Sequence, residues 1–359
     1  MNRRVTVRYI GNKTRLLDFI RRVIRSRGIR PGRAVDPFSG TASVARALKR
    51  WQFSTAASDI MEYGYVFARA YVEVTAPPTF AGVVEETRGA HLRNAVAALN
   101  RLPATPGFMH EHYSPAGSIG AAHGRMYFTP ENAARIDAIR DGVERWHRSG
   151  RIDLDAYHTL LASLIEAADR VANTTGVYAA FVKSWQPNAL RPLQLRAERM
   201  VRGNGCTAAR SDAIAAIRTA GRFDLLYLDP PYNSRQYAGY YHIPELLARG
   251  WYDGAVAMRG KTGLIDDADR RSDWSSSRRC EAAFEALVGA ADCRHIMMSY
   301  NAEGIISEST IERVLKENGR RTTYRRYRQH YRRYRSDSDS AVRRYSADAV
   351  YEYLYCISR

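Results

Sequence analysis

Cysteine is scarce in this sequence, and its spacing matches no metal site. The 359 residues include four cysteines, and no two of them form a Cys-x-x-Cys pair: Cys206, Cys280, Cys293 and Cys356. A scattered set of this kind argues against a zinc site and against a disulfide framework, and it suits a reducing cytosol. We therefore predict that the protein binds no metal.

Long apolar runs are also missing. No stretch approaches the length of a membrane span, and the amino-terminal residues lack the apolar segment of a signal peptide. These absences predict a soluble cytoplasmic protein with no membrane partner. The hydrophobic content of 45% is nevertheless ample for a core, and 359 residues suit one large domain plus an inserted one.

Acidic residues are few relative to basic ones. Only 37 Asp and Glu accompany 55 Lys and Arg, which gives a formal net charge of +18. Such an excess favours a polyanionic partner, most commonly nucleic acid, and so an association with the nucleoid. The alternative is a basic protein without a polyanionic partner.

The most informative segment is a short apolar run followed by a rigid acidic turn. Residues 223–228 contain no Gly or Pro and predict a strand buried on both faces. Two prolines then hold the chain extended, and ligands of open α/β sheets bind beyond the carboxyl ends of the strands. The candidate catalytic residues are Asp229, Pro230, Pro231 and Tyr232.

This turn suits methyl transfer to an exocyclic amine. The N6 lone pair of adenine is delocalised into the ring, so the amine is a poor nucleophile. The Asp229 carboxylate and the Pro230 carbonyl could accept both N6 hydrogens, while Tyr232 offers a flat face to a base taken out of the helix. The alternative is structural, with Asp229 capping the next helix and the prolines stiffening a loop.

A second candidate site lies near the amino terminus. Residues 5–10 predict a short edge strand or an extended entry to the fold, and Gly11 opens a helix through Asn12, Lys13 and Thr14. The upstream Gly of a phosphate loop is missing, so we reject that interpretation of the Gly-x-Lys-Thr sequence. Lys13 and the free N–H groups of the helix suit a carboxylate or another anion instead.

The next segment has the order strand, Gly turn, helix, which is typical of a nucleotide cradle. The predicted strand covers residues 34–38, the turn 39–43 and the helix 44–51. Asp59 follows the next strand at about the spacing used to hold ribose hydroxyls, or else it caps a helix over residues 60–73.

Prolines 77 and 78 mark a boundary to a mainly helical region. Helices are predicted at residues 83–102, 130–147 and 154–171, with a long loop over 103–129. The loop histidines lack ligand-spaced partners, so we interpret them as solvated: His110, His112 and His123. We predict an inserted domain at 77–199, which contacts the partner, between two parts of a catalytic domain at 1–76 and 200–359.

The remaining elements are predicted from local pattern. Asp212 caps a helix or meets the adenine of a cofactor, and residues 254–277 are predicted to form a polar surface loop. The further predicted elements are strands at 200–206, 294–300 and 350–357 and helices at 213–220, 241–248, 280–290 and 311–318.

A dense basic segment precedes the last strand. Residues 320–335 interleave eight arginines with four tyrosines, which favours phosphate contacts, with a solvated strand face as the alternative. Together with positions in the insert and after the turn, the candidate nucleic-acid-binding residues are Lys183, Arg191, Arg235, Tyr237, Arg325, Arg326, Arg332 and Arg333.

Four motifs occur in a fixed order: Tyr9-Ile-Gly-Asn-Lys13, Asp36-Pro-Phe-Ser-Gly40, Asp59 and Asp229-Pro-Pro-Tyr232. In this order, and with an insert before the last, they resemble the Dam-like DNA adenine-N6 methyltransferases. The resemblance implies a Rossmann-like α/β methyltransferase fold with a mixed seven-stranded sheet, in which residues 77–199 recognise the target. It also implies S-adenosylmethionine as cofactor and methylation of a flipped adenine in double-stranded DNA.

The resemblance also assigns the site. With Asp212 added from the local pattern, the candidate cofactor-binding residues are Tyr9, Gly11, Lys13, Asp36, Pro37, Phe38, Gly40, Asp59, Asp212 and Asp229. One departure is Ala42, where many members have a second Gly, and we expect a slightly altered approach of the cofactor there. The implied mechanism is direct in-line transfer without a covalent enzyme intermediate.

Two other functions remain open at this stage. An RNA or protein-amide methyltransferase usually has an uninterrupted cofactor domain before the turn and often begins the turn with Asn. A non-catalytic DNA-binding relative would not need Asp59 and Asp229. A restriction-modification role is predicted, with a cognate restriction endonuclease as a candidate partner.

Overall fold

The computed structural model describes residues 8–9, 11–84, 91–117, 124–266, 270–332 and 349–359. In this part of the chain the central element is a seven-stranded sheet, accompanied by a small hairpin of β5 and β6. The strands are β1 Arg33–Asp36, β2 Ser54–Asp59, β3 Thr207–Arg210, β4 Phe223–Leu228, β5 Met258–Arg259, β6 Leu264–Ile265, β7 Cys293–Asn301, β8 Arg325–Arg332 and β9 Ala349–Ser358.

The strand order in the sheet is β3-β2-β1-β4-β7-β9-β8. The first five strands are parallel, and β9 is antiparallel to both of its neighbours. This confirms the predicted mixed seven-stranded α/β sheet. The order runs one way from β1 through β2 to β3 and the other way from β4 to β7, so a crevice opens between β1 and β4 at their carboxyl ends.

Helices flank the sheet and form the insert. A 3-10 turn, Lys13–Leu16, precedes the first helix. Thr129 caps α6 and Asp153 caps α7 through their side-chain oxygens. The helices are α1 Leu17–Ser26, α2 Ser43–Arg50, α3 Glu62–Ala68, α4 His91–Asn100, α5 Phe108–Tyr113, α6 Pro130–Arg148, α7 Leu154–Val171, α8 Ala213–Thr219, α9 Tyr237–Tyr240, α10 His242–Arg249, α11 Cys280–Ala290 and α12 Glu308–Glu317.

The central strand is buried on both faces, as its apolar run predicts. Leu225 and Tyr227 point into the core shared with α1, whereas Leu226 and Leu228 point into the core shared with α8, α11 and α12. Because successive side chains of a strand alternate between faces, both layers are fixed by one six-residue segment. This packing holds the following turn, which starts at Asp229, in a defined position.

The helices of the insert share one apolar core with the sheet. Ala57 of β2, Phe67 of α3, Ile136 of α6 and Leu160 of α7 belong to the same buried cluster. Each of these residues is at most 3% exposed. The insert and this side of the sheet therefore share one hydrophobic core, to which α3 also contributes.

Three predicted elements are wrong in detail. Residues 200–206 form no strand, and β3 starts at Thr207 because Gly203 and Gly205 interrupt the chain just before it. The 103–129 loop contains α5. Residues 254–277, predicted as a surface loop, contain the β5–β6 hairpin and the buried side chains of Arg270 and Trp274.

Some predictions fall outside the described residues. Of the strand predicted at 5–10, only residues 8 and 9 are described, and residues 85–90 of the predicted helix at 83–102 are not. His123 and Arg333 are likewise outside. Over the part that is described, no helix is long and apolar enough to cross a membrane, and no cluster of three or more His, Cys, Asp or Glu could hold a metal ion.

Candidate active site

A cavity of about 840 Å³, mouth included, opens at the carboxyl ends of β1, β2 and β4. Most of the predicted cofactor and catalytic residues line it: Tyr9, Gly11, Pro37, Phe38, Gly40, Asp59, Asp212, Asp229, Pro230, Pro231 and Tyr232. Tyr237, predicted to bind nucleic acid, lines it as well. Lys13 and Asp36 are buried behind the wall instead of lining it.

The turn after β1 forms one side of the cavity. Gly40 has a φ of +49°, and a Cβ there would lie 3.2 Å from the Tyr9 ring. Ala42 adopts the left-handed region, with a φ of 55°, although it is not glycine. The buried Ser39 hydroxyl lies in this wall and has no hydrogen-bond partner among the described residues. A buried hydroxyl without a partner is unusual in a folded protein, and this one belongs to a residue of the cavity wall.

Asp59 is held by the backbone on both carboxylate oxygens. The Gly40 amide donates to Oδ2 at 2.8 Å, and the Met61 amide donates to Oδ1 at 2.9 Å. Burial raises the pKa of this carboxyl to about 6, against the lowering effect of these amides. Each oxygen can accept a further hydrogen bond, and Asp59 lines the cavity. The carboxylate therefore joins the turn after β1 to the end of β2.

Asp212 fulfils one of its two predicted roles and is placed for the other. Its Oδ1 accepts the amide of Ile214 at 2.9 Å, which caps α8. The same residue lines the cavity. Capping and ligand contact are thus compatible at this position.

The acidic corner lies where β4 ends. The Lys13 ammonium is 3.2 Å from Asp229 Oδ1, and the Tyr232 hydroxyl donates to the same oxygen. Among the described residues, the polar contacts of the Asp229 carboxylate thus all involve Oδ1. Its side chain is 16% exposed, so the other oxygen remains available to the cavity.

The charge of Asp229 is finely balanced. Burial raises the pKa of its carboxyl to about 7, while the Lys13 ammonium lowers it and the Glu352 carboxylate raises it. Asp36 also lies close enough for its own pKa to be raised, first by burial and then by Asp229. Neither Glu352 nor its link to this corner was predicted from the sequence.

The rigid turn is fastened from the opposite side by the loop after β7. The Ile305 amide donates to the Tyr232 carbonyl at 3.1 Å, and the Tyr300 hydroxyl donates to the Pro231 carbonyl at 3.4 Å. A Cβ on Gly11 would lie 3.3 Å from the Tyr232 ring, so glycine permits this close packing. Pro230 is thereby kept in the cavity wall.

Aromatic rings form much of the remaining wall. Tyr9 stacks on Tyr241 with ring centroids 4.4 Å apart and approaches Tyr237 at 5.7 Å. Across the cavity, Phe38 meets Trp274 edge to face at 4.7 Å. Such walls suit flat, partly apolar ligands such as purines.

The sequence analysis did not identify the side chains that segment 254–277 contributes to the site. Gln236 exchanges two hydrogen bonds with the backbone of Ser272, at 2.8 and 3.1 Å, which brings Trp274 to the cavity. Arg270 forms a buried ion pair with Glu245 at 2.7 Å, and Glu245 also accepts the amide of Tyr63. A lone Trp in an otherwise polar stretch was the available signal.

The candidate DNA-binding residues lie at several surfaces. Lys183, Arg191 and Arg235 are exposed, and Arg235 lies 5.9 Å from the Tyr240 ring near the mouth. On the edge strand β8, Arg325 is exposed and Arg326 pairs with Glu308. The Arg332 side chain and Arg333 lie outside the described residues.

The sheet order, the cavity at the reversal point and the acid-Pro-Pro-aromatic corner together define a Rossmann-like methyltransferase. Residues 9–274 match the model of the D12 class N6 adenine-specific DNA methyltransferases. The chain therefore belongs to that family, and the predicted class of enzyme, an adenine-specific DNA methyltransferase, is confirmed.

Similar proteins agree with this assignment. Over 98% of its length the chain is 34% identical to the Type II methyltransferase M.NlaIII of Neisseria lactamica and covers 99% of that protein. It is 33% identical over the same share to the Type II methyltransferase M.FokI of Planomicrobium okeanokoites, of which it covers 53%. The Modification methylase StsI of Streptococcus sanguinis is 30% identical over 98% of the chain, which covers 52% of it.

Proposed function

We propose that this enzyme transfers a methyl group from S-adenosylmethionine to N6 of an adenine flipped out of double-stranded DNA, at a specific site. The observation that supports this most directly is the Asp229 carboxylate, which has one oxygen bound inside the protein and the other available to a cavity with aromatic walls.

The cavity fits the proposed cofactor. The Ser39 hydroxyl in its wall lacks a partner among the described residues, and Asp59 keeps acceptor capacity beyond its two amide bonds. We propose that Asp59 accepts ribose hydroxyls, that residues 37–40 hold the methionine end, and that Asp212 and Phe38 contact the adenine. When bound, S-adenosylmethionine supplies a methyl group on a positively charged sulfur.

Two candidate cofactor-binding residues are buried behind those that line the cavity. Lys13 and Asp36 do not line the cavity, so we propose that they act on the cofactor through residues that do. Tyr9 and Gly11 are the lining members of the amino-terminal motif.

The turn after β4 is proposed to activate the amine. Asp229 accepts one N6 hydrogen and the Pro230 carbonyl accepts the other, which frees the nitrogen lone pair. A carboxyl with a pKa of about 7 is also matched to take up the proton that N6 loses after transfer. The rings of Tyr232 and Tyr237 in the wall offer stacking faces to the extruded base.

The basic surfaces are proposed to bind the DNA backbone. Lys183 and Arg191 belong to the insert 77–199, which we propose as the target-recognition region between catalytic parts 1–76 and 200–359. Arg235 lies at the mouth, and Arg325, Arg326, Arg332 and Arg333 belong to or follow the edge strand β8. Contacts from such residues fix the position of a duplex, whereas base edges specify the sequence.

The test is transfer of radiolabelled methyl groups to matched duplex DNA, single-stranded DNA and RNA. We expect labelling of duplex DNA at adenine N6, at one recurrent sequence identified by sequencing of methylated adenines. Equal or greater labelling of RNA would refute the proposed substrate.

The biological role is proposed to be modification in a restriction-modification system in the cytoplasm, at the nucleoid. The names of the similar proteins, Type II methyltransferases and a modification methylase, support this role. A cognate restriction endonuclease is the proposed partner. DNA from expressing cells should resist an endonuclease that cleaves the same recognition sequence only when it is unmethylated, and full cleavage would contradict the proposal.

A further inference from the structure

We infer that Glu352 is a positioning residue, which anchors the Lys13 ammonium against the inner oxygen of Asp229 and thereby controls the charge and orientation of that carboxylate. The inference rests on the proposed function of Asp229. It assigns a role to the last strand of the sheet, far in sequence from every motif described above.

Glu352 is buried where an apolar side chain would be expected. On β9 it lies on the same face as Leu354 and Cys356, which both belong to the core packed against α1. Glu352 is the only acidic residue of β9 and is 6% exposed. A buried carboxylate is costly unless it is paired and hydrogen-bonded, so its contacts should have a use.

Those contacts all converge on one oxygen. Glu352 Oε1 accepts from Lys13 Nζ at 2.7 Å and from Ser299 Oγ at 2.8 Å, and it lies 3.3 Å from Tyr232 Oη, whose proton is donated to Asp229. Ser299 is on β7, directly beside β9 in the sheet. Two neighbouring strands thus supply the carboxylate and the Ser299 hydroxyl, while Lys13 approaches from the 3-10 turn before α1.

Lys13 is shared between two carboxylates. Its ammonium lies 2.7 Å from Glu352 and 3.2 Å from Asp229, and it stands 4.5 Å from the centre of the Tyr232 ring. Lys13 is 2% exposed, so these neighbours replace its hydration. The ammonium cannot move toward the cavity without leaving Glu352.

The two partners act on Asp229 in opposite directions. Burial is the largest influence on the pKa of Asp229, Lys13 lowers this pKa and Glu352 raises it. The other ionisable groups that interact with Asp229 are Asp36, Tyr227, Tyr232, Tyr237 and Tyr300. These groups are the same in the Lys13 and Glu352 variants. Opposite shifts of the Asp229 pKa in the two variants can therefore be assigned to Lys13 and Glu352.

The experiment compares Lys13→Met with Glu352→Gln in the full-length chain, using the pH dependence of duplex methylation. The acidic limb of the pH–rate profile is the part in which the rate rises as Asp229 ionises. Lys13→Met removes the cation, so this limb should move to higher pH by about one unit or more. Glu352→Gln keeps an acceptor oxygen for Lys13 and Ser299 but removes a negative charge, so the limb should move to lower pH by about one unit. Glu317→Gln, at an exposed ion pair on α12, is the matched control and should not shift the limb.

A readout independent of turnover is the ¹³C NMR titration of the Asp229 carboxyl in the protein without substrate. The same order of variants is expected there. The inference would be overturned if both variants had the wild-type pKa in the rate profile and in the NMR titration. It would also be overturned if the pKa moved in the same direction in both variants. If the wild-type enzyme does not methylate DNA while the Asp229 pKa still shifts in opposite directions in the two variants, only the proposed function would be refuted.

Lys13→Met leaves two buried carboxylates without their cation, and this variant could fail to fold. The double variant Lys13→Met/Glu352→Gln leaves only Asp229 charged at this place. The acidic limb of the double variant should lie at higher pH than that of Glu352→Gln, because the two proteins differ only in the Lys13 cation, which lowers the pKa of Asp229. An identical limb in both would overturn the inference in the same way.

Discussion

Replacing Asp229 by asparagine should lower catalysis and raise stability, and the two effects have different pH dependences. Burial raises the pKa of this carboxyl from 3.8 to about 7. The ionised side chain therefore costs folding on the order of 4 kcal/mol at pH 8, because one pKa unit corresponds to about 1.36 kcal/mol. Asparagine removes that cost, and the Lys13–Glu352 pair at 2.7 Å remains to compensate the ammonium.

The sign follows from linkage. Since the pKa is higher in the folded state, folding favours the protonated carboxyl, and the penalty is complete only above about pH 7. It fades as the pH falls toward 4, where the carboxyl is protonated in both states. The stability gain of Asp229→Asn should therefore be largest at pH 8 and vanish near pH 4.

Catalysis should change in the opposite sense. Loss of one of two charge-stabilising contacts at a reacting group typically costs about 10²–10³-fold in turnover, or about 2.7–4 kcal/mol. Single-turnover methylation of duplex DNA measures this loss, while chemical denaturation at pH 8 and pH 4 measures the stability. Asp224→Asn, on the same strand but at its other end, is the matched control.

Two results would refute this reasoning. If Asp229→Asn were less stable than the wild type at pH 8, the buried carboxylate would not destabilise the folded protein. Turnover close to that of the wild type would remove Asp229 from its proposed catalytic role. The affinity for DNA is expected to be largely retained in this variant.

Three further predictions concern other parts of the molecule. Ala42→Gly should raise the free energy of unfolding by about 1 kcal/mol, because a left-handed L-residue costs about 1–2 kcal/mol, and a destabilised variant would contradict this. Asp59→Ala should weaken S-adenosylmethionine binding by about 1.5–3 kcal/mol in calorimetry with little effect on DNA affinity, and unchanged cofactor affinity would exclude a direct contact. Arg325→Gln combined with Arg326→Gln should weaken binding to any duplex and reduce its salt dependence by about one unit of slope per lost phosphate contact, whereas an unchanged slope would place β8 outside the interface.

Much of the fold could be predicted because its signals are local. The buried strand Phe223–Leu228 and the helix Leu154–Val171 have the bounds expected from their apolar patterns. The turn that follows the strand is fixed by two prolines, whose backbone restriction does not depend on distant contacts. The order of the motifs was sufficient for the family.

Errors arose where the local pattern is weak. The edge strand Thr207–Arg210 has mostly exposed side chains, so no apolar alternation distinguishes it from the segment before it. Trp274 belongs to a stretch whose composition is typical of a surface loop, yet its contact with Phe38 brings it into the wall. In both cases the position depends on packing against residues more than a hundred positions away.

The sequence by itself thus determined the buried central strand, the turn after β1 and the acidic turn after β4, since each depends on neighbouring residues. Only the tertiary structure decided the electrostatics of that corner. Glu352 and Lys13 are 339 positions apart in the sequence, and they meet because β9 lies between β7 and β8 in the sheet. Whether a carboxylate is charged depends on the burial and the partners that folding supplies, and no local pattern encodes either.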